Sequence, residues 1–131
     1  MARCFPAWHQ DGSFLGEQVR AFNLWISLTR CRHDAEDTPG LDVVPRRIGE
    51  LLETGGEDTW IDNSVSPQLV EERYGDEISR PNFEPGDALF FDDRFLHKTA
   101  ADPGMTRRRR TIETWFFAPS TFPDGYEPLA V

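Results

Sequence analysis

Residues 20–28 read RAFNLWISL, and this stretch decides the class of fold. Its apolar side chains fall on every second position, at Phe22, Leu24, Ile26 and Leu28. A period of two is typical of a β-strand with one buried face, because successive side chains of a strand point to opposite sides. The alternation therefore predicts a strand over residues 20–28 that buries these four side chains.

Three other segments predict further strands. Residues 41–44 (LDVV) form a short apolar run, and residues 88–91 (ALFF) form another. The second run follows residues 84–87 (EPGD), whose proline and glycine suit the two central positions of a type II turn. Residues 107–117 end in threonine, isoleucine and aromatic side chains, which predicts a core strand. The polar residues 30–40 are typical of a loop.

Two segments predict short helices. Residues 46–53 carry apolar side chains at helical spacing and are followed by two glycines, a common helix stop. Ser66 is a candidate N-cap with Pro67 at the first helical position, and apolar side chains follow as far as Tyr74. Several strands and two helices without strand-helix alternation predict a mainly β, antiparallel architecture, either a sandwich or a small barrel.

Length and charge restrict the class of protein. The chain has 131 residues, which suits a single domain over residues 1–131. Its 14 basic and 23 acidic residues give a net charge of −9, which disfavours nucleic acid and anionic membranes as partners. No apolar stretch approaches the ~18 residues of a membrane span. Two cysteines, Cys4 and Cys31, are too few for a disulfide framework, and with no targeting segment they predict the reducing cytoplasm.

A candidate metal site is carried by His9, Asp11 and His97. Residues two apart in an extended chain point to the same side, so His9 and Asp11 can converge on one ion. His97 follows the predicted strand over residues 88–91, where an antiparallel neighbour could bring it beside the pair. Two histidines and one carboxylate leave coordination positions open, as Fe(II) needs to bind a co-substrate and O₂. A His-x-Asp motif also occurs by chance, so the spacing alone leaves the site open.

Residues 107–110 are four consecutive arginines that lead into an aromatic strand. Alternation places every second guanidinium on the inner face, where an unpaired charge is costly. A guanidinium matches a carboxylate in bidentate geometry, so a dicarboxylate with its other end on the metal would satisfy it. The alternative is a solvated basic patch, which must hold for at least two of the four.

These residues and their neighbours resemble the phytanoyl-CoA dioxygenase family of Fe(II)/2-oxoglutarate-dependent oxygenases. The resemblance covers roughly residues 5–118, and its weight lies in the order and spacing of several motifs together. The motifs are WHQDG at residues 8–12, NLWISL at 23–28, PGLDVVP at 39–45, EPGD at 84–87, LHKT at 96–99 and RRTI at 109–112.

The resemblance implies a double-stranded β-helix core, also called a jelly roll or cupin-like fold. It implies that His9, Asp11 and His97 hold Fe(II), with 2-oxoglutarate and O₂ as co-substrates. Related halogenases carry a small residue in place of the carboxylate, so Asp11 favours hydroxylation of a small organic substrate. The co-substrate 2-oxoglutarate would be decarboxylated to succinate and CO₂.

The resemblance also implies a co-substrate pocket. Arg109 matches the arginine that binds the far carboxylate of 2-oxoglutarate, and Arg108 is the alternative. Thr99 matches a hydroxyl that binds the same carboxylate. Trp25 resembles a tryptophan that lines the pocket, although an ordinary core aromatic explains it equally well.

One departure from the family pattern concerns the N-terminal side. Family members carry a long segment before the His-x-Asp motif, including an early strand and covering helices, whereas His9 stands near the start here. The expected domain is therefore truncated, and a homo-oligomer could cover the exposed sheet edge. A non-catalytic or degenerate cupin-like binding module is the alternative, and a metal-dependent hydrolase or isomerase is a third reading. The substrate stays open.

Three other titratable residues are candidates for the surroundings of the site. His33 lies in the polar loop and is assigned no catalytic role. Asp92 and Asp93 are adjacent, so at most one of them could reach the site, as a partner of a ligand histidine.

Overall fold

The computed structural model describes residues 7–32, 38–57, 59, 61–127 and 129. It is mainly β, with two small antiparallel sheets and two short helices. The elements follow in the order α1 (Gly12–Leu15), β1 (Ala21–Ser27), β2 (Gly40–Val43), α2 (Pro67–Tyr74), β3 (Ala88–Asp92), β4 (His97–Ala100) and β5 (Thr111–Phe117). Neither helix in these ranges has the length and apolar character needed to cross a membrane.

The larger sheet has the order β3-β1-β5, so the strand predicted over residues 20–28 lies at its centre. Trp25 of β1 lies opposite Leu89 on one side and Glu113 on the other. The smaller sheet pairs β2 with β4. A buried cluster contains residues of both sheets and of the connections between them: Trp25, Cys31, Leu41, Val43, Phe83 and Phe91.

The predicted strand β1 is confirmed, but the buried face predicted for it is wrong. The buried side of β1 carries Ala21, Asn23, Trp25 and Ser27. The apolar side chains of the predicted set are half-buried or exposed, and Phe22 is 51% exposed. The physical reason lies in the contacts of the inner side: Asn23 donates to Asp11 of the candidate metal site, and Trp25 packs in the buried cluster defined above.

The opposite side of the larger sheet is apolar and open. Residues directly opposite in antiparallel strands share a face, and Leu24 lies opposite Phe90 while Ile26 lies opposite Ile112. Phe22 lies opposite Phe116 and stacks its ring on Phe90 at a centroid distance of 5.1 Å. We call this surface the outer face, and its six members are Phe22, Leu24, Ile26, Phe90, Ile112 and Phe116.

The two remaining long strands are present but less buried than predicted. In β3 only Phe91 is buried, whereas Phe90 is 61% exposed. The strand predicted over residues 107–117 begins at Thr111, and β5 lies at an edge of the sheet rather than in a core. The turn before β3 is confirmed, because Gly86 has a φ of 99° and the N–H of Asp87 donates to the carbonyl of Glu84 at 3.0 Å.

The helix predicted from Ser66 and Pro67 is confirmed as α2. The Ser66 hydroxyl accepts a hydrogen bond from the backbone N–H of Leu69 at 3.2 Å, the geometry of an N-cap. Val70 and Tyr74 bury the inner side of α2 in a second apolar cluster with Trp8.

The helix predicted over residues 46–53 is wrong, because this segment is irregular. The Gln10 side chain is 0% exposed. It makes hydrogen bonds to backbone groups of this segment that would bond to other backbone groups in a helix. Its Nε2 donates to the carbonyl of Glu50 at 3.0 Å, and its Oε1 accepts from the N–H of Leu52 at 2.8 Å. Ile48 and Leu52 of the segment pack in the same cluster as Trp8, so their burial needs no helix. The second helix of the fold is instead α1, directly after Asp11.

Candidate metal centre

His9, Asp11 and His97 converge, although they come from opposite ends of the chain. The backbones of His9 and His97 are bonded in both directions, at 3.0 Å and 3.1 Å. Asp11 stands at the start of α1. Its Oδ1 lies 3.8 Å from Nε2 of His9 and 3.7 Å from Nε2 of His97. The three side chains form the one group of metal-ligand type found among the described residues.

Both imidazole rings are oriented by the backbone. Nδ1 of His9 lies 2.9 Å from the carbonyl of Ala7, and Nδ1 of His97 lies 3.0 Å from the carbonyl of Phe95. A carbonyl can only accept, so in each ring Nδ1 carries the proton. The lone pair of each Nε2 is thereby left facing Asp11, as a metal ligand requires.

The surroundings of His97 keep its ring neutral. Burial is the largest cause, and the neighbouring His9 adds to it, so that the pKa of His97 is lowered to about 4. A neutral imidazole is the form that binds a metal ion. His97 is therefore ready to act as a ligand at neutral pH.

The two carboxylate oxygens of Asp11 have different partners. Its buried Oδ2 accepts hydrogen bonds from Nδ2 of Asn23 at 3.0 Å and from Nε1 of Trp115 at 2.9 Å. Its Oδ1 is left facing the two histidines. The donors hold the carboxylate in one orientation, so that one oxygen stays directed at the space between the rings.

The donor set fits a divalent cation. Across the described ranges, the ion-pair contacts of Asp11 are with His9 and His97 alone, and His97 is neutral. A buried carboxylate without a cation is costly, so an ion between the three residues would supply the missing charge. Two atoms that each bind an ion at about 2.1 Å lie at most about 4.2 Å apart, and both measured distances satisfy this limit.

Arg109 rather than Arg108 points inward. The Arg109 guanidinium donates from Nη1 to the carbonyl of Gly40 at 2.8 Å and from Nη2 to the hydroxyl of Thr99 at 3.1 Å. Its Cζ lies 5.7 Å from the ring centroid of Trp25. Arg108 is exposed. The structure thus brings Arg109, Thr99 and Trp25 together, and their role toward 2-oxoglutarate stays a prediction.

Trp25 offers a free donor inside this group. The side chain is 1% exposed, and its Nε1 has no hydrogen-bond partner among the residues that the structure describes. A buried N–H without an acceptor is uncommon in native proteins. An anionic ligand beside Arg109 would provide that acceptor, so the residues present fit a carboxylate.

Other sequence candidates lie outside the centre. Asp92 pairs with Arg47 at 2.9 Å, and Asp93 lies 3.8 Å from Arg20. Their polar contacts are therefore not with His9 or His97. His33 lies outside the described residues.

Three residues around the centre were not singled out by the sequence. Asn23 and Trp115 hold Asp11, and Glu113 lies on the same inner side of β5. A polar residue within an apolar strand, such as Asn23, is a signal that could have been used. The other two become visible only once the register of β1 and β5 is known.

A groove of about 450 Å³ runs along the free edge of β3. Phe91 and Phe95 line it, and their rings also lie 4.8 Å and 6.1 Å from the His97 ring. None of the predicted site residues lines the groove. It therefore lies beside the candidate metal centre and is separated from it by these two rings.

No family model and no curated protein matches the sequence. Among solved structures, the chain is similar to EvdO2 from Micromonospora carbonacea var. aurantiaca complexed with 2-oxoglutarate, with a TM-score of 0.60 and 18% identity over 92% of this chain. It is also similar to EvdMO1, with a TM-score of 0.52 and 22% identity over 87% of this chain. The matches cover 49% of the EvdO2 chain and 23% of the EvdMO1 chain. At these identities the likeness shows the fold.

Proposed function

We propose that this chain is the metal-binding part of an Fe(II)/2-oxoglutarate-dependent dioxygenase of the phytanoyl-CoA dioxygenase type, built on a double-stranded β-helix. The observation that carries the proposal is the convergence of His9, Asp11 and His97 on one point, with oriented rings and a held carboxylate. The likeness to EvdO2, whose structure contains 2-oxoglutarate, supports the same reading.

The proposed reaction is hydroxylation of a small organic substrate. Fe(II) with 2-oxoglutarate and O₂ would supply the oxidising chemistry: one oxygen atom enters the substrate C–H bond, and the other enters succinate as CO₂ is released. The residues of this chain hold and shield that chemistry. A reducing, cytoplasmic location suits it and agrees with the free, buried thiol of Cys31.

Each residue has a defined task in this proposal. His9, Asp11 and His97 hold the ion on one side and leave its other positions open. Asn23 and Trp115 keep Oδ1 of Asp11 directed at the ion.

The second group of residues binds the co-substrate. In this proposal Arg109 binds the far carboxylate of 2-oxoglutarate in bidentate geometry, together with the Thr99 hydroxyl to which it donates. The unpaired Nε1 of Trp25 is a further donor for this anion. Because Asp11 is a carboxylate, hydroxylation is proposed rather than halogenation.

The test is anaerobic titration of the purified chain with Fe(II) and 2-oxoglutarate, followed by the visible metal-to-ligand charge-transfer band. We expect a band in the wild type, no band in Asp11→Ala, and 2-oxoglutarate affinity at least about 30-fold weaker in Arg109→Ala, as for loss of a charged partner. Arg108→Ala is the matched control and should behave as the wild type, since Arg108 is exposed.

Two results of this titration would contradict the proposal. A folded chain that binds Fe(II) but gives no band with 2-oxoglutarate contradicts the dioxygenase and supports a non-catalytic metal-binding module. Equal losses in Arg108→Ala and Arg109→Ala would contradict the assignment of the anchor.

A further inference from the structure

Glu113 is a carboxylate on the inner side of β5 that the proposed function does not use. In antiparallel pairing it lies opposite Trp25, and Trp115 lies opposite Asn23. Residues directly opposite share a face, so Glu113 faces the same side as Trp25, Asn23 and Trp115. Along the chain it stands between the anchor Arg109 and Trp115, which holds Asp11.

The Glu113 carboxylate has no dedicated partner. Among the described residues it takes part in no hydrogen bond and no ion pair, although Asp11, His9 and Arg109 all lie near enough to act on its charge. Burial and the charge of Asp11 raise the pKa of the Glu113 carboxyl. The residue is nevertheless open to solvent. A bound molecule could therefore reach it.

With Fe(II) and 2-oxoglutarate bound, the negative charge of Glu113 would be left unbalanced. The two positive charges of Fe(II) and the charge of Arg109 would balance Asp11 and the two carboxylates of 2-oxoglutarate. Glu113 then adds one further negative charge, and none of the described residues forms an ion pair with it. A neighbouring negative charge disfavours an anionic substrate and attracts a cationic one.

We propose that Glu113 is a substrate-binding residue that selects a substrate carrying a protonated amine. Its position beside the metal centre and next to the 2-oxoglutarate anchor would place that amine close to the reacting carbon. The inference rests on the proposed function, because the charge balance assumes Fe(II) and 2-oxoglutarate in the site.

The test compares probes that differ only in charge. Primary alkyl amines and the alcohols of the same carbon skeleton are titrated into the chain loaded with Zn(II) and 2-oxoglutarate, and binding is followed by ligand-observed NMR. We expect the amines to bind about tenfold more tightly than the alcohols, the size of a charge-assisted hydrogen bond. Glu113→Gln should abolish this preference. Glu72→Gln, the same substitution on the exposed side of α2, should retain it.

A second readout separates this inference from the proposed function. The charge-transfer band with Fe(II) and 2-oxoglutarate should persist in Glu113→Gln, which shows that the variant folds and loads. A band without any amine preference, or a preference that survives in Glu113→Gln, overturns the role of Glu113 alone. No probe binding to the loaded wild type also overturns it. Absence of the band in the wild type overturns the proposed function and this inference with it.

Discussion

Trp115 illustrates how a side chain outside the candidate ligand set can orient one of its members. Its indole N–H and the Asn23 amide both bind the Asp11 oxygen that does not face the histidines. Without them, the carboxylate could rotate and present either oxygen. Residues of this kind contribute to metal affinity by orienting a ligand rather than by touching the ion.

We expect Trp115→Phe to weaken metal binding by about tenfold, because the phenyl ring keeps the bulk but removes the N–H that holds Asp11. Co(II) titration followed by its visible absorption measures this. Phe116→Leu, the neighbouring position on the outer face, is the control and should leave the affinity unchanged. Equal affinities for wild type and Trp115→Phe would show that Asn23 alone orients Asp11.

The residues of the candidate centre were predictable to different degrees. His9, Asp11 and His97 could be named from motif spacing, and the structure brings them together. The choice between Arg108 and Arg109 needed the structure, because alternation shows only that two adjacent side chains point to opposite sides. Asn23, Trp115 and Glu113 depend on the register between β1 and β5, which a single sequence does not contain.

Among the elements, the segment over residues 46–53 shows why a helical pattern can fail. Its spacing fits a helix, but local propensity is a weak preference that tertiary contacts override. Here Gln10, the buried neighbour of His9 in the sequence, binds the backbone of Glu50, Leu52 and Arg94. No pattern within residues 46–53 predicts hydrogen bonds to Gln10, which lies about 40 residues earlier in the chain.

We expect Gln10→Leu to lower the free energy of unfolding by about 2–4 kcal/mol, because the buried N–H of Leu52 and the carbonyls of Glu50 and Arg94 lose their partner. Urea denaturation measures the change. Gln68→Leu on the exposed side of α2 is the matched control, and we expect it to stay within about 0.5 kcal/mol of the wild type. A similarly small change in Gln10→Leu would contradict this account.

The strand β1 was predictable as an element but not in its orientation. A period of two identifies a strand but does not tell which of its two sides is buried. In β1 the apolar side chains and the mixed set with Asn23 and Trp25 both recur at every second position. The rule that the apolar side is buried fails here because Asn23 binds Asp11 and Trp25 packs in the buried cluster, which holds both side chains on the inner side. The capped helix α2 and the turn at Gly86 were predicted correctly, since their signals are local.

At the scale of the whole molecule, the outer face is the most unusual surface. It gathers six apolar side chains on one side of the larger sheet, and Phe90 and Phe116 are 61% and 52% exposed. Contiguous apolar surfaces of this kind mark sites of interaction or association. The homo-oligomer predicted from the sequence was expected to cover a sheet edge rather than this face, and it stays a prediction.

We expect the double variant Phe90→Ser, Phe116→Ser to bind less of a hydrophobic dye than the wild type and to keep its stability within about 1 kcal/mol, since exposed side chains contribute little to folding. Fluorescence titration and thermal unfolding measure the two effects. Phe91→Ser on the inner side is the control and should cost about 3 kcal/mol or more. Unchanged dye binding would show that the outer face is covered, and sedimentation of the same samples would reveal a self-associated species.

The two-way backbone bonding between His9 and His97 has a consequence for evolution and design. The positions of these two residues are set by main-chain atoms, which every amino acid except proline provides in full. Either imidazole can therefore be exchanged for another ligand type without moving its attachment point. The same backbone frame would therefore carry different donor atoms at these two positions, with the surrounding chain unchanged.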